Sequence, residues 1–263
     1  MRVMNRIESR NNGIIKAAAA LSKRAERYGN RRFTFEGVHL LEEFLRAGHS
    51  PCAVFVREDR TRDLSRLLNS AGCEVYEVTA PVYDKLTSEQ APQGVFTVAE
   101  FLDNIKDFGG FEPCGTNTLL LDNLQDPGNV GTAVRTATAL GARVVLASCA
   151  DIYSQKTVRA SMGSVFFGDI TVCRDSAEAI ESLKNSGSRV IAAALYGKNE
   201  KLGGFDILPD DCFVIGNEGG GLSEKVLSMC DFSSRIPMTC GAESFNAAAA
   251  AAIFLWEATR KTL

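Results

Sequence analysis

The chain has 263 residues, of which 45% are hydrophobic and 23% charged, with a net charge of −3. This is the composition of an ordinary globular protein. Its longest apolar run, Ala247 to Trp256, is closed by Glu257 after ten residues, too short to span a bilayer. The opening MRVMNRIESRNNG holds charge but no apolar core, so a secretory signal is not expected and the protein is read as cytoplasmic.

The charge is spread unevenly. Residues 1–32 hold nine Lys or Arg against Glu8 and Glu26, net +7, which leaves −10 for the remainder. A basic arm on an acidic body suits a polyanionic partner, and equally a solvated helix face. From residue 8 to about 28 the alanine-rich sequence has helical character, with Ser22, Lys23, Arg24 and Arg27 on its polar side. Short elements then alternate. Strands are predicted over 32–35, 52–58, 73–79 and 95–101, and helices over 36–48, 62–71 and onward from Pro81. Residues 103–117, rich in Gly, Asp, Asn and Pro without apolar periodicity, read as a linker.

A second alternation follows. Strands are predicted at 118–122, 143–148, 170–173, 189–195, 212–216 and 233–238, with helices at about 129–140, 154–161, 175–186, 222–230 and 244–261. Continuous apolar strands separated by helices imply an α/β domain whose parallel sheet is covered on both faces, with ligands at the carboxyl ends of its strands. The eight cysteines form no CxxC pair, and several lie in apolar segments, so they read as free thiols. His39 and His49 have no Cys or carboxylate cluster at ligand spacing, so no metal is expected.

Three strand ends carry chemistry-rich segments. In LLLDNLQDPGNVGTAVRTATALGA (119–142), a Pro-Gly turn leads to Asn129, placed to cap a helix. Arg135 lies six residues on and off the apolar stripe, suited to a phosphate or to an ordinary surface position. In FVIGNEGGGLSEKV (213–226), a buried strand breaks into Gly216-Asn217-Glu218-Gly219-Gly220-Gly221. This is neither GxGxxG nor a phosphate-cradling P-loop, which disfavours a nicotinamide-dependent oxidoreductase. Three consecutive glycines expose backbone donors or simply make a flexible turn. In RIPMTCGAESFNAAAAAAIFLWEATR (235–260), Ser244 and Asn246 flank the start of a long helix, and Ser244 is the expected cap.

Together DPGNVGTAVRTA, IGNEGGGLS and IPM…ESFNAAAAAA resemble, in this order, the three motifs of the SpoU/TrmH family of RNA 2′-O-ribose methyltransferases, over roughly residues 118–261. Phe245 and Ala247 depart from the Leu and Val usual there, which bears on cofactor packing more than on chemistry. The resemblance implies a basic N-terminal helix (1–30), an RNA-binding domain with an L30e-like fold (31–102), a linker (103–117) and a catalytic domain (118–263) with a deep trefoil knot. It implies a homodimer and S-adenosylmethionine as cofactor, held by Leu195, Gly197, Ile215, Gly216, Asn217, Glu218, Ile236, Met238 and Phe245. RNA phosphates would meet Arg24, Arg27, Arg31, Arg32 and Arg135.

The catalytic set implied is Asn129, Arg135, Glu218, Ser244 and Asn246. Methyl transfer from a sulfonium needs position and electrostatics more than acid–base power. An arginine stays protonated, so Arg135 is expected to hold the ribose phosphate and ease the developing oxyanion rather than act as a base. Asn129 would orient the ribose or Arg135, Glu218 would hold Asn129 or Arg135, and Ser244 and Asn246 would complete the pocket. Ribosomal RNA is the expected substrate, with transfer RNA, or an inactive RNA-binding protein on the same scaffold, as alternatives.

Overall fold

The structure, a computed structural model, describes residues 5–195, 199–239 and 244–260. In chain order its elements are β1 (Asn5–Ile7), α1 (Gly13–Ala20), α2 (Arg24–Asn30), β2 (Arg32–Glu36), α3 (Val38–Arg46), β3 (Ala53–Arg57), α4 (Ser65–Ser70), β4 (Glu74–Val78), α5 (Ala80–Tyr83), β5 (Val95–Glu100) and β6 (Ile105–Asp107). There follow β7 (Thr118–Asp122), α6 (Pro127–Ala139), β8 (Arg143–Ala147), α7 (Gln155–Ala160), β9 (Ile170–Cys173), α8 (Ser176–Asn185), β10 (Val190–Ala193), β11 (Asn199–Lys201), β12 (Cys212–Ile215), α9 (Glu224–Met229), β13 (Phe232–Arg235) and α10 (Ala247–Thr259). None of the described helices is long and apolar enough to cross a membrane.

These elements form two compact units. The first comprises the described residues up to Leu102 together with Tyr153–Phe166. Its sheet runs β1-β4-β3-β5-β2, parallel across β1, β4 and β3 and antiparallel where β5 meets β3 and β2. One face buries Ile15, Leu21, Phe55, Tyr83 and Phe96. On α3 and β2 an aromatic cluster forms, with Phe166 about 5 Å from both Phe35 (5.2 Å) and Phe44 (5.1 Å) and Tyr153 5.0 Å from Phe33. Large aromatic rings explain why Tyr153–Phe166, which lies within 118–263 by sequence, packs here.

The N-terminal stretch is two helices rather than one. Between them, the Arg27 guanidinium donates to the carbonyls of Leu21 (2.9 Å) and Ser22 (2.7 Å), satisfying acceptors left open by the end of α1. Arg6 is held by Glu8, Glu58 and Glu77 at 2.8–2.9 Å, so part of the basic segment is neutralised within this unit.

The second unit, Asp103–Ile152 with Phe167 onward, holds an eight-stranded sheet in the order β11-β13-β10-β12-β7-β8-β9-β6, parallel throughout. The expected parallel sheet is therefore present, and two short strands extend it. β6 lies within the predicted linker, where three residues are too few to display a period. Leu119, Leu120 and Leu121 are fully buried in β7, as a strand covered on both faces requires. One face is covered by α8 and α9 through Ala179, Ile180, Leu183 and Val226. On the other, α10 packs against α6 and β12, with Phe254 5.5 Å from Phe213.

Every described cysteine is a free thiol. Cys173 and Cys212 are buried, whereas Cys114 is exposed. Burial pushes the Cys149 thiol up to about 12, and its Sγ donates to the Leu121 carbonyl, so it is unreactive. Among the described residues no cluster of His, Cys, Asp and Glu is arranged to hold a metal ion.

Candidate active site

The candidate site is built at the carboxyl ends of β7, β12 and β13. Beyond β7, Asn123 turns the chain with φ at 57°, a left-handed conformation that asparagine tolerates. Asp126 then caps α6, its carboxylate accepting from the Gly128 N–H at 3.2 Å, with Pro127 in the first turn. The cap expected at Asn129 thus stands three positions earlier. Proline decides this, because it fits only where no N–H is owed to the helix. Asn129 lies inside the first turn, and its carboxamide is available to other segments.

Those segments are far away in sequence. Asn129 Nδ2 donates to Glu218 Oε1 at 2.8 Å, and Asn129 Oδ1 accepts from Asn246 Nδ2 at 2.9 Å. Asn246, rather than Ser244, caps α10, its Oδ1 accepting from the N–H groups of Ala248 (2.9 Å) and Ala249 (3.2 Å). The cap orients the whole chain of bonds. With Asn246 Oδ1 occupied, its amide NH2 faces Asn129, which must then turn its own NH2 to Glu218, a carboxylate that only accepts. Neither amide can be flipped without losing a bond.

Glu218 is held by a closed turn. Asn217 and Gly221 exchange two backbone hydrogen bonds, 3.2 and 2.9 Å, while Asn217 Oδ1 accepts from the N–H groups of Gly219 and Gly220. Asn217 Nδ2 also donates to the Asn123 carbonyl at 2.8 Å, tying this turn to the end of β7. Gly221 has φ at 65°, and a Cβ on Gly216 would lie 2.5 Å from the Gly221 carbonyl carbon. The glycines are thus required by the turn's own closure. Asn217 is the residue whose structural part the sequence understated, although an Asn two residues before glycine is a recognisable side-chain turn signal.

Two expected members stand apart from this cluster. Arg135 is exposed on α6 and makes no side-chain hydrogen bond or ion pair among the described residues. Ser244 is also exposed, and with Leu195, Ile236, Met238 and Phe245 it lines a cavity of about 110 Å³. Four of the expected cofactor residues therefore meet at one cavity. Ile215, Gly216, Asn217 and Glu218 lie at the end of β12 and outside its lining. Gly197 lies outside the described residues. Near the cluster, half-buried Asp122 has its carboxyl raised above the usual range by burial, opposed by the Ser176 hydroxyl and reinforced by Asp175.

Of the expected RNA-binding arginines in the first unit, Arg24, Arg31 and Arg32 are exposed. Arg24 lies over the Tyr28 ring at 5.2 Å, Arg31 over Phe101 at 5.5 Å, and Arg32 is 3.9 Å from Glu100. Arg27 is corrected: it is 5% exposed and bound to the two carbonyls at the end of α1, so it cannot meet a phosphate.

Comparison with known proteins gives matches over both units. Residues 116–256 match the SpoU rRNA Methylase family, and residues 12–97 match the MRM3-like substrate binding domain. The chain is 31% identical to a 23S rRNA (guanosine(2553)-2'-O)-methyltransferase from Bacillus subtilis, over 96% of this chain and 98% of that protein. It is also 31% identical to a 23S rRNA (uridine(2479)-2'-O)-methyltransferase from Streptomyces viridochromogenes, over 98% of this chain and 93% of that one. Among solved structures, an AdoMet-bound rRNA methyltransferase from Sinorhizobium meliloti superposes with a TM-score of 0.85 at 29% identity, covering 99% of each chain.

Proposed function

The chain belongs to the SpoU rRNA methylase family, and from that premise we propose that it transfers a methyl group from S-adenosylmethionine to a ribose 2′-hydroxyl of ribosomal RNA. The observation that carries this reading is the hydrogen-bonded chain Glu218–Asn129–Asn246, which joins all three motif segments one residue from the cavity wall at Phe245. The cavity, about 110 Å³, suits one end of the cofactor rather than the whole molecule. Leu195 and Phe245, both large and apolar, are 41% and 44% exposed, and a nucleoside seated between the walls would cover them. Leu195, Ile236, Met238 and Phe245 would hold it, with backbone groups at the end of β12.

S-adenosylmethionine supplies a methyl group already activated on a sulfonium. The protein's task is to place the ribose oxygen in line with it. Asn129, locked from both sides, presents a preorganised amide to the ribose. Arg135 projects into solvent, where it can grip a backbone phosphate and stabilise charge developing on the attacking oxygen. With the methyl donor bound, the hydroxyl proton would be lost to solvent. Ser244, on the cavity wall, faces the same space.

The finer architecture belongs to the proposal. The catalytic domain, 118–263, is knotted, a reading supported by the family match and by the packing of α10 against α6. Residues 31–102 form an RNA-binding domain of L30e-like fold, and the substrate-binding-domain match supports it. The protein acts as a cytoplasmic homodimer.

The decisive experiment compares 2′-O-methyl maps of ribosomal and transfer RNA from a strain lacking this gene with maps from the parent. One ribosomal site should vanish and return on incubation with purified protein and S-adenosylmethionine. A lost site in transfer RNA would redirect the substrate. Cofactor binding with unchanged maps in both RNAs would make this an inactive RNA-binding protein.

A further inference from the structure

We infer that the Ser234 hydroxyl recognises the purine edge of the bound cofactor, an inference that rests on the cofactor reading above and deepens it. β13 places two serines side by side, and both are buried although neighbours in a strand face opposite ways. Strand register assigns their faces. Ser233 pairs with Ala192, which lies in the core under α8 and α9. Ser234 pairs with Ala193, on the face that Ile191 shares with Phe213, and Phe213 packs on Phe254 of α10. Ser234 therefore points to the α10 side, where it lines the cavity with Ala193, Leu195, Ile236, Phe245 and Phe254.

Ser234 is 0% exposed, and its Oγ has no hydrogen-bond partner among the described residues. A desolvated hydroxyl without a partner is costly to fold around. An alanine would fill the same place without that cost, and since none of the described residues supplies a partner, the hydroxyl is left to bond a molecule that enters the cavity. The surroundings select which part of the cofactor it meets. The methionine end carries two charges and the ribose two hydroxyls, each needing several polar partners. A buried hydroxyl among mostly aliphatic and aromatic walls, whose other polar side chains, Arg235 and Ser244, are exposed, matches a flat ring with few edge groups. Serine both donates and accepts, so it can donate to the purine N7 while accepting from the exocyclic amine, a pair that a 6-oxo ring cannot match because both of its groups on that edge accept.

The test is calorimetry on the full chain and on Ser234→Ala, with S-adenosylhomocysteine and its 6-oxo analogue S-inosylhomocysteine as probes, alongside the melting temperature of each free protein. Losing one neutral hydrogen bond should weaken S-adenosylhomocysteine binding about fivefold. The parent's preference for adenine over the 6-oxo ring should narrow by a similar factor. The free variant should melt no lower than the parent, since only an orphaned hydroxyl has been removed. Affinity within about twofold of the parent would overturn the inference while leaving the cofactor reading intact. Equal weakening toward both probes would place the contact away from the purine edge and overturn it. A clear drop in melting temperature would make Ser234 a folding residue, which also overturns it. Should the parent bind neither probe nor S-adenosylmethionine, the cofactor reading fails and takes the inference with it.

Discussion

Arg135 stands free of packing on the exposed side of α6, whereas Asn129, two turns earlier, is bonded from both sides. These environments lead to different mutational signatures. Arg135→Ala should leave cofactor affinity and melting temperature unchanged while lowering single-turnover methyl transfer by about 10²-fold or more, the usual loss for one preorganised donor. Arg135→Lys should recover little, because an ammonium lacks the planar fork that grips two oxygens. Turnover of Arg135→Ala near the parental rate would return this arginine to an ordinary surface role. Asn129→Asp should act through charge. It sets a second carboxylate at hydrogen-bond distance from Glu218, and two such groups cannot both stay ionised cheaply. Activity should fall sharply in alkaline buffer and recover in part as pH drops, because one proton shared between the pair restores an O–H donor. A pH–rate profile parallel to the parent's would show that the Asn129–Glu218 bond is dispensable.

At the scale of elements, the arginines of α2 and of its junction with β2 look alike in charge but divide by burial. Arg24, Arg31 and Arg32 project outward, and replacing all three with Gln should weaken RNA binding and reduce the slope of log affinity against log salt by about 2 to 3, at 0.7–0.9 per phosphate contact. Cofactor affinity should not change. Arg27→Gln should do the opposite. RNA affinity should hold while stability falls by on the order of 1.5–3 kcal/mol, because two carbonyls lose a charged donor. Chemical denaturation and salt-dependent binding of the two variants separate the roles, and an unchanged slope in the triple variant would make this α2–β2 junction a solvated face. Here sequence periodicity sorted the helix into sides but could not see that Arg27 folds back on the preceding helix.

At the scale of the molecule, α10 is apolar on every side, and a helix of that kind is ordinarily buried all round. Its Ala247, Ala251, Phe254 and Leu255 are buried within the second unit, yet Trp256 is 54% exposed. A second copy covering that face would resolve the mismatch. Trp256→Glu should then shift the protein from dimer to monomer in equilibrium sedimentation, with the melting temperature becoming less dependent on concentration. A variant that sediments like the parent would move the interface elsewhere.

The sequence by itself determined the local features. Apolar runs bounded by Gly, Pro and Asn marked most strands and helices, because periodicity and turn chemistry are properties of neighbouring residues. The three motifs in order marked the family for the same reason. The tertiary structure alone decided which motif residues meet. Asn129 lies 89 positions from Glu218 and 117 from Asn246, and they touch because β7 pairs with β12 and α10 returns to α6. Of the two caps, the one at Asp126 follows from Pro127 beside it and is a local feature, whereas the one at Asn246 goes with its bond to Asn129 across the fold. The burial of Arg27 and the isolation of the Ser234 hydroxyl depend likewise on neighbours brought together by packing and strand register, which no local pattern records.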